Sequence, residues 1–325
     1  MTNRITPLKY KYNQLLFPTP PFNFEGTVHK PSHFPSSDNS YKNGKCRFSL
    51  RYQDRTLGIG LSNLGTTYKP KIRLTTFSSK KLSNSLLESI RAEIEFRFDL
   101  GVDLKEFNKI CRRDSVLKPV LKRWIGTRVS NGNSLYEFMV IATVLQNATV
   151  KRSVQMIENM FKRFGARISF DGERLSAFWP PDSIDNASEE ELRALKLGYR
   201  VTMLKRQAHS LITGEIDENQ LRLLSSSDLK IKLLELYGIG PASVWYLLFE
   251  VFKRYDAFEY ISPWEQKIYS RLLFEKDLVD PKIILDEVNT RWGKWKMLAA
   301  HYLFEDLFWQ RKTQHIPWLE ELIRL

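Results

Sequence analysis

The stretch Leu233-Leu-Glu-Leu-Tyr-Gly-Ile-Gly-Pro-Ala-Ser-Val-Trp-Tyr-Leu-Leu248 limits what this chain can fold into more than any other part of it. An apolar helical run ends at Tyr237, and Gly238 can take the left-handed conformation that closes helices and that bulkier residues disfavour. Gly240 lets a ligand approach the backbone closely. Pro241 suits the first turn of a second helix, where its missing N–H costs nothing. The result is two helices joined by a tight loop whose free N–H groups sit at a positive helix end, an arrangement suited to phosphate. The alternative is a glycine-capped helix pair packed inside a bundle, and the short core alone leaves both open.

Charge points the same way as the loop. Lys and Arg number 50 against 37 Asp and Glu, a net charge of +13. Such a surplus favours a polyanionic partner, although charge alone does not separate DNA from RNA or an anionic membrane. The chain has 325 residues, 42% of them hydrophobic, enough for one large domain or two ordinary ones. Its two cysteines, Cys46 and Cys111, exclude a disulfide scaffold, a zinc knuckle and a four-cysteine iron–sulfur cluster. The opening, Met1 to Leu16, is polar and basic with no apolar signal core. No segment approaches the ~18 apolar residues of a spanning helix. The expectation is a soluble intracellular protein, cytoplasmic or nucleoid-associated, with no membrane partner.

Two periodicities divide the chain. Up to about residue 80, alternating runs such as Cys46-Arg-Phe-Ser-Leu-Arg-Tyr52 and Lys71-Ile-Arg-Leu-Thr-Thr-Phe77, bounded by turn residues such as Asn43-Gly44, predict antiparallel strands. Gly58-Ile59-Gly60 lacks the spacing of a nucleotide-binding loop and reads as a turn or bulge. From Leu82 the period becomes helical, with Leu82, Leu86, Ile90 and Ile94 on one face and further helices to about residue 311. The chain is thus α+β: a small antiparallel N-terminal β domain and an all-helical body. We divide it into an N-terminal extension (1–20), an α+β domain (21–115) and a helical domain (116–325), with the hairpin at 229–254. Ser134/Glu137, Ser188/Glu191 and Ser262/Glu265 carry the capping-box spacing at helix starts.

In this order of features the chain resembles the helix-hairpin-helix DNA glycosylase superfamily, over about residues 21 to 310. Its layout is closest to 3-methyladenine DNA glycosylase II and 8-oxoguanine DNA glycosylase. Pro21-Phe-Asn-Phe-Glu25 and the strands after it look like the N-terminal domain of those enzymes. Tyr136 to Asn147 is similar to the segment ending in their wedge loop, so Gln146 and Asn147 fall where a side chain fills the gap left by a flipped nucleotide. Leu197-Gly-Tyr-Arg200 looks like the run that meets the base left unpaired, which implicates Tyr199 and Arg200. The hairpin, with Gly238, Ile239, Gly240 and Ser243, would anchor the DNA backbone without reading sequence. A wedge of this kind helps offset the few kcal/mol needed to take a base out of the stack.

Two departures bear on chemistry. The lysine that bifunctional members use to attack the sugar is replaced by Ala242, so lyase chemistry through it is not expected. The aspartate that stabilises the cationic sugar as the base leaves is replaced by Ser262, which cannot supply its negative charge. Glu265, folded back by a capping box, is either a catalytic replacement or a plain cap. Asp256, in a loop upstream, is a lesser candidate. Tyr246, Trp264, His301 and Tyr302 are candidate base-pocket residues, their rings suited to stacking, although aromatics at helical spacing are commonly core.

The leading expectation is a monofunctional DNA N-glycosylase of base excision repair, acting as a monomer on lesion-containing double-stranded DNA. The alternative is a catalytically silent relative that binds damaged or distorted DNA, and a third reading is an RNA-binding or RNA-processing protein using the same basic hairpin. The resemblance implies chemistry without metal or cofactor, with a structural cation at the hairpin carbonyls as a further option.

Overall fold

The computed structural model describes residues 5–322. Strands β1 (Ile5–Pro7) and β2 (Tyr10–Leu16) precede a short helix α1 (Phe24–Val28). Strands β3 (Asn39–Lys42), β4 (Lys45–Tyr52), β5 (Arg55–Asn63) and β6 (Ile72–Ser78) follow. β2 to β6 form one antiparallel sheet in the order β2-β6-β5-β4-β3. Asn43 and Gly44, both at positive φ, make the two-residue turn between β3 and β4, the geometry that matches strand twist. Alternation buries Phe48, Leu50, Leu57, Ile59 and Leu74 on one face, against Leu87, Ile90 and Ile94 of helix α2 (Asn84–Arg97).

The second part is built from helices α3 (Lys105–Arg113), α4 (Leu117–Trp124), α5 (Leu135–Leu145) and α6 (Val150–Phe164). Strands β7 (Ala166–Phe170) and β8 (Glu173–Ala177) come next, then α7 (Pro181–Asp185), α8 (Glu189–Ala194), α9 (Arg200–Ile212) and α10 (Glu218–Arg222). The hairpin helices are α11 (Ser226–Leu234) and α12 (Pro241–Tyr246), and α12 runs on into a π-helical turn, Leu247–Val251. α13 (Pro263–Phe274), α14 (Pro281–Trp292), α15 (Lys296–Thr313) and α16 (Pro317–Leu322) complete it. No helix of the described residues is long and apolar enough to cross a membrane.

Three expectations change. The described part of the expected N-terminal extension, from residue 5, is built into the fold, since β2 is an edge of the main sheet and β1 pairs in parallel with β7. The helical part is not all-helical, because β7 and β8 form an antiparallel hairpin there. Gly58-Ile59-Gly60 is neither turn nor bulge but the middle of β5, in unbroken register with β4 and β6. The reason for glycine is packing: a β-carbon at Gly58 would come within 2.6 Å of the Phe170 ring of β7.

Buried polar contacts join the two parts. Arg128 is fully buried and donates to the carbonyls of Thr19 (2.7 Å), Pro21 (3.0 Å) and Val102 (3.3 Å). On α2, Glu93 accepts from Arg97 (2.7 Å) and, across the junction, from both terminal nitrogens of Arg222 on α10 (2.8 Å each). Burial disfavours the Glu93 carboxylate, but hydrogen bonds and charge from Arg222 and Arg97 outweigh it and hold its pKa down to about 2. A depressed folded-state pKa stabilises above the unfolded value near 4.5, and the contribution is lost as pH falls toward 2.

Glu93→Gln should therefore lower unfolding free energy at pH 7 by ~3 kcal/mol, since it leaves two guanidiniums at a neutral amide. Urea unfolding of both proteins across pH 7 to 2 should show the gap narrowing below about pH 4.5. A gap that stays constant over that range would contradict the ion-pair account.

Candidate active site

A cavity of about 950 Å³ opens between the N-terminal domain and the helical body. The hairpin, from Gly238 to Ser243, forms part of its wall together with Gln146, Asn147, Tyr246 and Trp264. The structure thus brings together the loop, the wedge segment and two of the four predicted pocket aromatics.

At the hairpin, Gly238 has φ +83°, and a β-carbon there would lie 2.9 Å from Met203. Gly240, by contrast, is the N-cap of α12 in extended conformation, and a β-carbon on it would meet nothing within 4 Å. Nothing inside the protein requires that second glycine. Ile239 is buried beneath the loop, and the Ser243 amide donates back to the Gly240 carbonyl at 2.9 Å. The Tyr237 and Gly238 carbonyls accept from the amides of Gln207 (3.1 Å) and Gln146 (2.9 Å). Side chains therefore tie this loop to the body.

The wedge segment hangs on the end of α5, whose last carbonyls lack intrahelical partners. Arg200 supplies them: its Nε donates to Thr143 O (3.1 Å) and its terminal nitrogen to Gln146 O. A cation at a helix C-terminus is also favoured by the dipole. With 3% of its surface exposed, Arg200 is turned into the body rather than presented where the expected contact with an unpaired base would be made. Tyr199 does remain available, 51% exposed, with its ring 4.6 Å from the Arg200 guanidinium carbon. Asn147, at φ +49°, lies within 3.4 Å of the Tyr199 hydroxyl, and that hydroxyl also lies 3.4 Å from Gln146 O.

Geometry around Glu265 bears directly on the missing aspartate. Ser262 and Glu265 form a capping box at the start of α13. The Ser262 N–H (3.0 Å) and its hydroxyl both donate to Glu265 Oε2. The other oxygen, Oε1, accepts from the Tyr246 hydroxyl at 2.9 Å. Glu265 is buried at 9% exposure, whereas Tyr246, 41% exposed, faces the cavity. Among the described residues no cation lies within ion-pair distance of Glu265, although Lys and Arg are abundant in the chain. The glutamates at the other two helix starts with this spacing differ. Glu137 has Arg97 at 3.9 Å, and Glu191 pairs with Arg163.

Two phenols line this carboxylate. Burial first, and then the Glu265 charge, push the Tyr246 and Tyr269 hydroxyls well above their ordinary range. Tyr246 is thereby kept as a neutral donor to Glu265. Asp256 is elsewhere, exposed and within 3.3 Å of the Ser226 hydroxyl at the start of α11.

The two late-helix candidates do not line the cavity. Tyr302 is 1% exposed, donates to Thr127 O (2.9 Å) and packs edge-on against Phe107 in the core. His301 is buried against Phe249, and burial with the nearby charges of Lys30 and Lys253 lowers its pKa well below the usual value. Trp264, 38% exposed, does line it and packs edge-on against Phe304.

Sequence reasoning missed the polar inner wall. Lys30, after α1, lies 3.1 Å from Glu250 of the π-turn, 220 residues away, and both line the cavity. No local pattern could have signalled a pair so distant in sequence.

No family model matches the chain. A DNA-3-methyladenine glycosylase of Bacillus subtilis (strain 168) is 24% identical over 225 residues, covering 68% of this chain and 73% of that one. Among solved structures, the 3-methyladenine DNA-glycosylase from Archaeoglobus fulgidus superposes with a TM-score of 0.74 at 17% identity, covering 93% and 100% of the two chains. The Clostridium acetobutylicum 8-oxoguanine glycosylase/lyase in complex with double-stranded DNA gives 0.70 at 18% identity, covering 94% and 99%. The chain is thus similar in sequence to a DNA-3-methyladenine glycosylase, and it shares the fold of 3-methyladenine and 8-oxoguanine glycosylases over nearly its whole length.

Proposed function

We infer that the chain is a monofunctional DNA N-glycosylase that extrudes a damaged base from the duplex and hydrolyses its bond to the sugar. The observation that carries this reading is the Glu265 carboxylate: buried, held by three neutral donors, without a cationic partner, and bonded to a cavity-lining tyrosine. As the base departs, C1′ of the sugar becomes cationic, and an anion beside it lowers the barrier. Water then adds its oxygen to C1′ and the departing base takes up a proton, leaving an abasic site. Ser262 serves as a positioning residue through its two bonds to Oε2, and Tyr246 fixes the second oxygen. Ala242 offers no amine at the place where the resemblance puts a Schiff-base lysine, which supports hydrolysis without strand cleavage. The net charge of +13, the hairpin and the wedge support double-stranded DNA as the partner.

Single-turnover assays on duplexes with alkylated, oxidised or deaminated bases should show base release that Glu265→Gln lowers by about 10²-fold or more. Glu265→Gln should leave binding of the same duplexes intact. The products should be abasic strands broken only by added alkali, and borohydride should trap no protein–DNA adduct. Absence of release from every lesion, with lesion-selective binding preserved, would favour the silent DNA binder instead.

Gly240→Val adds a side chain where the protein leaves open space, so folding should be unaffected. Duplex affinity should nonetheless fall about tenfold for damaged and undamaged DNA alike, because a blocked phosphate contact carries no sequence information. Unchanged affinity in a fluorescence titration at fixed salt would remove the hairpin as anchor. Tyr199→Ala should instead reduce the preference for damaged over undamaged duplex.

A further inference from the structure

The inner end of the cavity is charged in a way that constrains what can enter it. Lys30 Nζ lies 3.1 and 3.3 Å from the two carboxylate oxygens of Glu250. Both side chains are mostly buried, with 13% and 16% of their surface exposed, and that exposure is to the cavity they line. A second ammonium is close by: Lys253 donates to the Glu250 main-chain carbonyl at 2.7 Å, and burial pushes its pKa down to about 8. The other carboxylate of the wall, Asp38, is buried, accepts from Ser36 and Asn39, and has its pKa raised by that burial. His29 and His33, also in the wall, have lowered pKa values, chiefly through burial. The Glu250 carboxylate is thus matched by Lys30, with Lys253 on its main-chain carbonyl, and neither carboxylate lining this inner end is left as a free counter-ion; Glu265 stands apart from it, behind Tyr246.

We propose that the Lys30–Glu250 pair is the base-reading element of this cavity and selects a neutral nucleobase that carries a carbonyl beside a ring N–H, against a positively charged alkylated base. The inference rests on the reading of the cavity as the receptacle for an extruded base. The ammonium donates to a carbonyl oxygen while the carboxylate accepts from the adjoining N–H, so the pair matches such an edge with one donor and one acceptor. A cationic base would have to give up its water in a site whose carboxylate is already matched, and would meet Lys30 head-on. Aromatic faces at Tyr246 and Trp264 stack on either kind of base and do not decide between them.

The test measures binding, so it does not require turnover. Glu265→Gln protein is titrated by fluorescence anisotropy with duplexes carrying 8-oxoguanine, hypoxanthine or 2′-fluoro-stabilised 7-methylguanine, each opposite cytosine at one salt concentration. The two neutral bases should bind about tenfold more tightly than 7-methylguanine. Adding Lys30→Met leaves Glu250 unmatched and should shift that ratio by about tenfold toward 7-methylguanine, while Lys30→Arg preserves it. Glu250→Gln should weaken the neutral lesions and leave undamaged duplex unchanged, and it serves as the second variant should Lys30→Met lower the melting temperature. Preference of the parent protein for 7-methylguanine, or a ratio that moves less than about twofold in both variants, would overturn the proposal. A shifted ratio in a protein that releases no base would sustain this inference while ending the glycosylase reading, so the two fail separately.

Discussion

The end of α5 is the constraint around which the site is arranged. A helix that stops inside a protein leaves carbonyl oxygens that must find donors, and here the buried Arg200 guanidinium satisfies Thr143 and Gln146. Because Arg200 opens α9, the bond fixes the wedge residues relative to that helix. Gln146 then donates to the Gly238 carbonyl, and Gln207, from α9, donates to Tyr237. The segment ending at Asn147 and the hairpin are consequently tied together by the side chains of Arg200, Gln146 and Gln207. Flipping a base needs the backbone anchor and the wedge to act at a fixed separation, and that separation is built from helix-end chemistry.

Features set by neighbours in sequence are legible in the residues alone. The positive φ of Gly238, the Asn43-Gly44 turn and the Ser262/Glu265 box all follow from residues within a few positions of one another. Features set by distant partners are not. Arg200 looks in sequence like an exposed basic residue beside an aromatic, and only the carbonyls of Thr143 and Gln146, more than fifty residues upstream, turn it inward. Gly58 suggests a turn because glycine is rare within strands, yet its cause is Phe170 in a hairpin that sequence periodicity passed over. That hairpin has two five-residue strands, too short for alternation to stand out from the helices around it. Lys30 and Glu250 belong to the same class, since each looks like an ordinary charged surface residue when taken alone.

The late aromatics show the converse error. Family order drew Tyr302 into the pocket, but its hydroxyl needs a partner when buried and finds one in the Thr127 carbonyl on the core side of α15. A helix of eighteen residues presents several faces, and resemblance places a residue along the axis without settling which face it occupies. Tyr246 does line the cavity, since the hairpin fixes where α12 begins and leaves less than two turns in which rotation could be misjudged.

What separates Glu265 from an ordinary cap is the destination of its second oxygen. A capping box needs only the carboxylate's reach back to the N-cap N–H, and Glu137 and Glu191 show how this chain otherwise treats glutamates at that position: each has an arginine nearby. Burying a carboxylate without that compensation costs free energy, since neutral donors replace only part of its hydration. Evolution of a purely structural cap in so basic a chain would have had many arginines and lysines to draw on. Instead the carboxylate is held by the Tyr246 hydroxyl and by the Ser262 N–H and hydroxyl, neutral donors that fix it in place without cancelling its charge. On the proposed glycosylase reading, that cost is the counterpart of an unpaired charge held beside the cavity, where a cationic sugar would form.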